Sequence, residues 1–182
     1  MANVHVALLR GINVGGNNML PMKALAEEFE AAGCEQVQTY IQSGNVVFAA
    51  NARLATKIGP TMEERIRRRF KLEVPVVVRS ADELRTVITA NPYAKRRDFE
   101  MSTHVMFCGS KLKADLIAKL DPNRSPGDEF GCKEQEIYLW LPNGAGKSKL
   151  MSGYFDRVLE TVATARNWRT VLKLAEMIAE VH

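Results

Sequence analysis

The sequence predicts an α+β protein whose N-terminal lobe has the ferredoxin-like βαββαβ order with an antiparallel sheet, packed with a smaller C-terminal α+β lobe. Three observations predict this class. Residues 3–9 alternate as a half-buried strand does, and residues 22–32 repeat apolar side chains with a helical period. A short glycine-containing turn at 42–44 then joins two strand-like segments, and a hairpin directly after the first helix argues against a parallel α/β sheet.

The other elements follow from the same periodicities and from turn residues. Gly59-Pro60 is expected to kink the second helix or reset its start. In the first lobe, residues 1–92, further strands are predicted at 37–41, 45–49 and 74–78, and helices at 53–71 and 81–90. In the second lobe, residues 93–182, the expected order is a strand at 103–108, a helix at 111–120, turns at 121–128, a strand or hairpin at 129–141, and helices at 148–160 and 168–181.

Composition narrows the class of protein. The chain has 182 residues, enough to bury a core without metal or disulfide staples. Its three cysteines are widely spaced, which indicates reduced thiols and a cytoplasmic setting rather than a disulfide framework or a zinc site. An export signal and an 18-residue apolar run are both missing, so we expect a protein that neither leaves the cell nor spans a membrane. A formal net charge of +4 does not decide between nucleic acid and other anionic partners.

Three stretches carry a resemblance to a known family. They are LLRGINVGG at 8–16, TYIQSGNVVF at 39–48 and TARNWRTVLKL at 164–174. In this order they resemble the bacterial domain-of-unknown-function family 1697, nearly from end to end. The resemblance implies a ferredoxin-like first lobe and a bacterial cytosolic setting. It implies no activity, because a family of this kind transfers fold rather than chemistry.

Topology predicts where a binding site lies. In a βαββαβ sheet the first two strands run parallel, so the loop after the first strand (10–18) and the hairpin turn (42–45) leave the sheet at the same end. Both segments are polar and contain glycine, and a helix N-terminus near Pro21 favours an anion. The predicted ligand-binding side chains are Arg10, Asn13, Asn17, Gln42, Ser43 and Asn45.

Ordinary structural roles compete with this interpretation. Glycines and asparagines are the residues that tight turns need. Near the C-terminus, Asn167 suits a helix N-cap and Trp168 begins an apolar stripe, so Arg166 is the residue there that remains as a candidate for ligand contact.

Several tempting motifs predict no chemistry. The segment 143–148, Asn-Gly-Ala-Gly-Lys-Ser, is too short to wrap a phosphate as a P-loop does, and the glycines at 11–16 lack dinucleotide-loop spacing. The strand at 43–49 has one aromatic side chain and no charged one, so the platform on which RNA bases stack is missing.

His5 and His104 have no acidic or thiol neighbour at ligand spacing, so no metal site or cofactor is predicted. Cys132 is expected in a turn, exposed and oxidisable without being catalytic.

Three function classes remain open. The leading one is binding of a small anionic or nucleotide-like ligand at the predicted sheet edge, with enzymatic activity undecided. The second is nucleic-acid binding through two basic segments, 65–71 and 95–97, although glutamates beside the first segment favour an ordinary solvated face. The third is protein contact or self-association through an open sheet edge, and the sequence leaves the oligomeric state open.

Overall fold

The computed structural model describes residues 3–151 and 153–181. They form two compact units, one bounded by Met1–Thr86 and Lys173–His182, the other by Val87–Leu172. The predicted division lay at 92/93, with the whole C-terminus in the second lobe. The division in the structure falls earlier, and it assigns the larger part of the last helix to the first unit.

The first unit contains a four-stranded antiparallel sheet in the order β2-β3-β1-β4. Its elements are β1 (Asn3–Leu9), α1 (Met22–Ala31), β2 (Glu35–Tyr40), β3 (Asn45–Ala50), α2 (Ala52–Ala55), α3 (Ile58–Phe70), β4 (Val76–Ser80) and α4 (Ala81–Thr89). Because β3 pairs antiparallel with both β1 and β2, these two strands point the same way, as the topology argument requires.

Local chemistry sets the bounds of these elements. The predicted helix at 53–71 is two helices: the Asn51 side chain caps α2 by accepting from the Leu54 N–H at 2.9 Å, and α3 starts afresh at Ile58, before Gly59-Pro60. The strand predicted at 74–78 begins later, at Val76, since the preceding proline has no N–H to donate to the ladder.

One face of the first sheet is covered by α1 and α3. Alternate residues of β1 and β3, including Leu9 and Phe48, pack against helix residues such as Phe29 and Met62, all of them buried. The Phe29 and Phe48 rings lie 5.3 Å apart between centroids. This apolar layer anchors both strands whose ends carry the candidate site.

The second unit contains another four-stranded antiparallel sheet, in the order β6-β7-β5-β8. Its elements are α5 (Phe99–Ser102), β5 (Thr103–Cys108), α6 (Ala114–Ile117), β6 (Glu129–Lys133), β7 (Glu136–Trp140), a 3-10 helix (Ala145–Lys147), α7 (Tyr154–Leu159) and β8 (Ala163–Asn167). The last helix, α8 (Trp168–Glu180), begins in this unit and continues into the first one. If the strands of each sheet are numbered one to four along the chain, both sheets have the same order, 2-3-1-4. The α+β class is therefore confirmed, with two antiparallel sheets.

Three sequence expectations in this unit are corrected. Strand β8 was not predicted, because its sequence has no apolar alternation; pairing with β5, for example Val105 with Arg166, creates it. The helix predicted at 111–120 is confined to Ala114–Ile117, since the Leu112 N–H donates to the Glu134 carbonyl instead. The helix predicted at 148–160 starts only at Tyr154, after Gly153 with a φ of +71°.

Candidate functional site

The loop after β1 and the turn between β2 and β3 meet at one end of the first sheet. The Leu9 N–H donates to the Gly44 carbonyl at 2.8 Å, and the Asn13 side-chain amide donates to the Gln42 carbonyl at 2.8 Å. We call residues 10–20 and 41–45 together the loop–turn corner. The predicted convergence of these two segments is confirmed.

Gly44 makes this close approach possible. Its φ is +76°, and an added Cβ would lie 2.7 Å from Leu9 Cβ and 2.9 Å from Ile12 Cδ1. Leu9 and Ile12 are themselves fully buried. Any side chain at position 44 would push the turn away from the loop, so the geometry of the corner depends on this glycine.

The loop itself folds into a small hairpin. Val14 and Asn17 form an isolated bridge, and the Asn13 N–H donates to the Asn18 carbonyl at 3.2 Å. Gly15 and Gly16, with φ of +58° and +78°, make the tip, as a type I′ turn requires. The tip is exposed, so the hairpin projects from the sheet towards solvent.

Two of the predicted ligand contacts have structural roles instead. Asn13 donates to the Leu20 carbonyl at 2.9 Å as well as to Gln42, and its Oδ1 accepts from the Leu20 N–H. Asn45 is fully buried, and its amide donates to the Tyr40 carbonyl and to Ser43 Oγ. These amide groups form hydrogen bonds that hold the loop and the turn together. We therefore correct the prediction for both residues, whose roles are structural.

The other four predicted residues of the corner lie at its surface. Asn17 and Gln42 are exposed, while Arg10 and Ser43 are half-buried. The Arg10 backbone is held by a 3.0 Å hydrogen bond from its N–H to the Pro75 carbonyl. The structure therefore brings these four polar residues to one end of the sheet.

The two segments of the corner contain an arginine and no aspartate or glutamate of their own. No aspartate or glutamate occurs at 3–26 or 37–62, whereas Arg10 and the exposed Lys23 lie within these stretches. Helix α1 begins after Pro21 without a side-chain cap and without an acidic residue in its first turn. An uncapped helix start has a partial positive charge, so the local field favours an anion.

Exposed apolar side chains at the corner were missed by the sequence analysis. Val14 is 63%, Met19 67% and Ile41 50% exposed. Ile41 also has a φ of +47°, a conformation that β-branched residues rarely adopt. Periodicity does not report the exposure of loop residues, so the sequence contained no direct signal for this apolar fringe.

Arg166 lies in the second unit, in β8, and is buried there. Its Nη1 donates to Thr164 Oγ1 at 2.8 Å and to the Ala165 carbonyl at 2.7 Å. Burial lowers the pKa of the guanidinium to about 10. A side chain packed in this way does not present itself to a ligand, which corrects its prediction as a contact.

The N-cap role of Asn167 is confirmed by a 2.8 Å bond from the Thr170 N–H, and Trp168 is buried as expected.

The arginine run at 65–69 is held in ion pairs with neighbouring carboxylates. Arg65 and Arg69 both donate to the buried Glu28, at 2.6 and 2.8 Å, while Arg67 and Arg68 both donate to Glu64. The pKa of Glu28 is lowered despite its burial, because these two guanidiniums stabilise the carboxylate. The predicted solvated face is confirmed.

Cysteine reactivity and metal binding are not indicated by the described residues. Cys132 lies in β6, half-buried, and burial raises the pKa of its thiol to about 11, so the expectation of an exposed turn cysteine is corrected. No group of three potential metal ligands is found among residues 3–151 and 153–181. Within the same residues, no helix has the length and apolar content that crossing a membrane requires.

Two histidines predict a pH dependence of stability. Burial lowers the pKa of His5 and His104 below their ordinary value of 6.5. At pH values near and below 6.5, the unfolded chain therefore binds more protons than the folded protein does. The free energy of unfolding falls as the pH drops below 6.5. Urea unfolding at pH 7.5 and 5.5 should show this loss, and His5→Gln and His104→Gln should each reduce it. An unchanged pH slope in both variants would contradict the assignment.

Comparison with known proteins identifies the family. The conserved bacterial protein SP0830 from Streptococcus pneumoniae has a similar structure, with a TM-score of 0.74 and 21% sequence identity, over 98% of this chain and 99% of that one. At this identity the likeness shows the fold alone. Among curated proteins, none matches this chain. The family model described as "Protein of unknown function (DUF1697)" matches residues 2–138, most of the sequence, and the chain therefore belongs to that family.

Proposed function

We propose that the loop–turn corner binds a small anionic, nucleotide-like ligand through Arg10, Asn17, Gln42 and Ser43. The observation that carries the proposal is the meeting of two polar segments that contain Arg10 and no aspartate or glutamate of their own. An arginine, amide groups and a hydroxyl suit the oxygens of a phosphate or carboxylate. The uncapped start of α1 adds to the attraction.

The equivalent corner of the second sheet provides an internal comparison. The Cys108 N–H donates to the Gln135 carbonyl at 2.9 Å, as Leu9 does to Gly44. There the connection to the next helix takes only five residues, 109–113, and Lys111 pairs with Glu134 at 2.8 Å. In the first unit it takes twelve residues, 10–21. A connection longer than the topology needs supports a binding role.

The apolar fringe favours a ligand with more than a charged group. Val14, Met19 and Ile41 expose apolar surface beside the polar residues of the corner. A sugar–base portion would cover such surface, whereas inorganic phosphate would leave it in water. A nucleotide-like ligand therefore suits the corner better than a bare anion.

We further infer a ferredoxin-like first unit and a cytoplasmic setting. The βαββαβ succession and the strand order β2-β3-β1-β4 support the first interpretation. Cys34, Cys108 and Cys132 form no disulfide, which supports the second, since an oxidising compartment favours disulfides.

The two other function classes are less favoured. Nucleic-acid binding through 65–71 would require arginines that now pair with Glu28 and Glu64 to exchange these partners for phosphates. Association through the β2 edge is opposed by an irregular register between Glu35 and Gln38, where Gln36 has a φ of +50°. Bulges of this kind disturb the pairing of an edge strand.

Replacement of Arg10 by glutamine tests the proposal. We expect a nucleoside monophosphate, within a panel that includes sugar phosphates and inorganic phosphate, to raise the melting temperature of the wild-type protein. By isothermal titration calorimetry, its affinity should fall with rising salt and decrease at least tenfold in Arg10→Gln, because the main cation is removed.

Arg53→Gln is the matched control. Arg53 is an exposed arginine of the same unit, on α2, and its loss should leave the affinity unchanged. If no compound of the panel stabilises the wild type, or if Arg10→Gln binds as well as Arg53→Gln, the proposed site is wrong.

A further inference from the structure

A cavity of about 510 Å³ lies in the second unit, at the end of β7. Its walls come from Trp140, from the following residues 141–144, and from 97–98 and 101–102. The volume is within the usual range for small-molecule sites, about 300–1,000 Å³. None of its lining residues belongs to the loop–turn corner.

Two sequence features that had no assigned role meet at this cavity. The basic segment 95–97 contributes Arg97 to the wall, and the glycine-lysine-serine segment 143–148 contributes Asn143 and Gly144. These segments are far apart along the chain. The cavity lining holds one cation, Arg97, beside one carboxylate, Asp98.

The indole of Trp140 forms one side of the cavity. The Arg96 guanidinium carbon lies 4.4 Å from the ring centroid, and Arg96 also pairs with Glu129 at 2.6 Å. These contacts hold the indole in place.

The opposite side combines an exposed apolar side chain with a cation. Met101 is 70% exposed although it is apolar. Arg97 pairs with Asp98 at 3.8 Å, and both side chains are exposed. Because a long, exposed ion pair contributes little stability, Arg97 can exchange it for an anionic group of a ligand at small cost.

We propose that this cavity binds a small oxyanion attached to a planar apolar body, an aryl phosphate or aryl carboxylate in chemical terms. The oxyanion contacts Arg97, and the planar body packs between Met101 and the Trp140–Pro142 wall. Methionine adapts to such rings and makes favourable contacts with them. Both halves of the ligand are required, since the cavity wall is partly charged and partly apolar.

Calorimetric titration of the full chain with four probes tests the inference. We expect phenyl phosphate or benzoate to bind saturably, at least tenfold more tightly than inorganic phosphate and than neutral benzyl alcohol. Whichever of the two aryl anions binds identifies the oxyanion. If neither binds at millimolar concentration, or if inorganic phosphate binds equally well, the inference is overturned.

Two exposed positions of the second unit provide a matched pair of variants. Met101→Glu places a negative charge at the cavity and should weaken binding of the aryl anion at least tenfold, as should Arg97→Gln. Asn123→Glu adds the same charge at an exposed position that does not line the cavity and should have no effect. Both side chains are at the surface, so folding is retained. Equal affinities of the Met101→Glu and Asn123→Glu proteins would overturn the assignment, whatever the outcome at Arg10.

Discussion

Replacing Gly44 with alanine is expected to lower the free energy of unfolding by about 2–5 kcal/mol. The added Cβ would lie 2.7 Å from Leu9 Cβ, and the neighbouring Ile12 is buried and has little room to move. Overpacking of this kind costs about 1–3 kcal/mol, and a side chain at a φ of +76° costs about 1–2 kcal/mol more. Urea unfolding measures the effect as a lower midpoint with an unchanged slope.

Gly16→Ala separates the two contributions. Gly16 has nearly the same φ, +78°, but no atom lies within 4 Å of an added Cβ. Its replacement should therefore cost only about 1–2 kcal/mol, the backbone contribution alone. If Gly44→Ala and Gly16→Ala lower the free energy of unfolding equally, the contact of Gly44 with the loop is unimportant. The close approach of loop and turn would then have to be reconsidered.

The second large effect is expected for Phe48→Ala, a loss of about 3–5 kcal/mol in the free energy of unfolding. Phe48 is fully buried at the centre of β3, with the Phe29 ring at 5.3 Å and the His5 ring stacked at 5.6 Å. Its truncation leaves a cavity between sheet and helices that these rigid rings do not fill. Chemical denaturation at pH 7.5, where His5 is neutral, measures the loss.

Phe70→Ala is the control for this substitution. Phe70 lies at the end of α3, packed against the same core but only partly buried. The same chemical change should therefore cost clearly less. If Phe70→Ala destabilises the protein as much as Phe48→Ala, the core of the first unit is not centred on β3 and α1 as described.

The apolar pattern was a reliable guide wherever an element buries one face. The strand at 103–108 and the helix at 168–180 agree with their predictions almost to the residue, because packing onto a core imposes a period that is visible in the sequence. Strand β8 has no such period. Its residues Thr164 and Arg166 are buried and polar, and its pairing with β5 is a long-range interaction.

The meeting of the loop and the turn was predicted from the sequence, but the side chains that hold them together were not. Chain direction alone implied that the first loop and the hairpin turn share an end of the sheet. An asparagine in a polar loop has the same appearance in sequence whether its amide meets solvent or a carbonyl. Only the coordinates show that Asn13 bonds to Leu20 and Gln42, and that Asn45 is buried in its turn.

By itself, the sequence determined the α+β class, the parallel direction of β1 and β2, and the absence of carboxylates from the segments that form the corner. These properties depend on composition and on short-range periodicity. The tertiary structure decided which polar groups remain at the surface, which apolar side chains are exposed, and that 97–102 and 140–144 enclose a cavity. Such features depend on contacts between residues distant in the chain, and no local pattern encodes them.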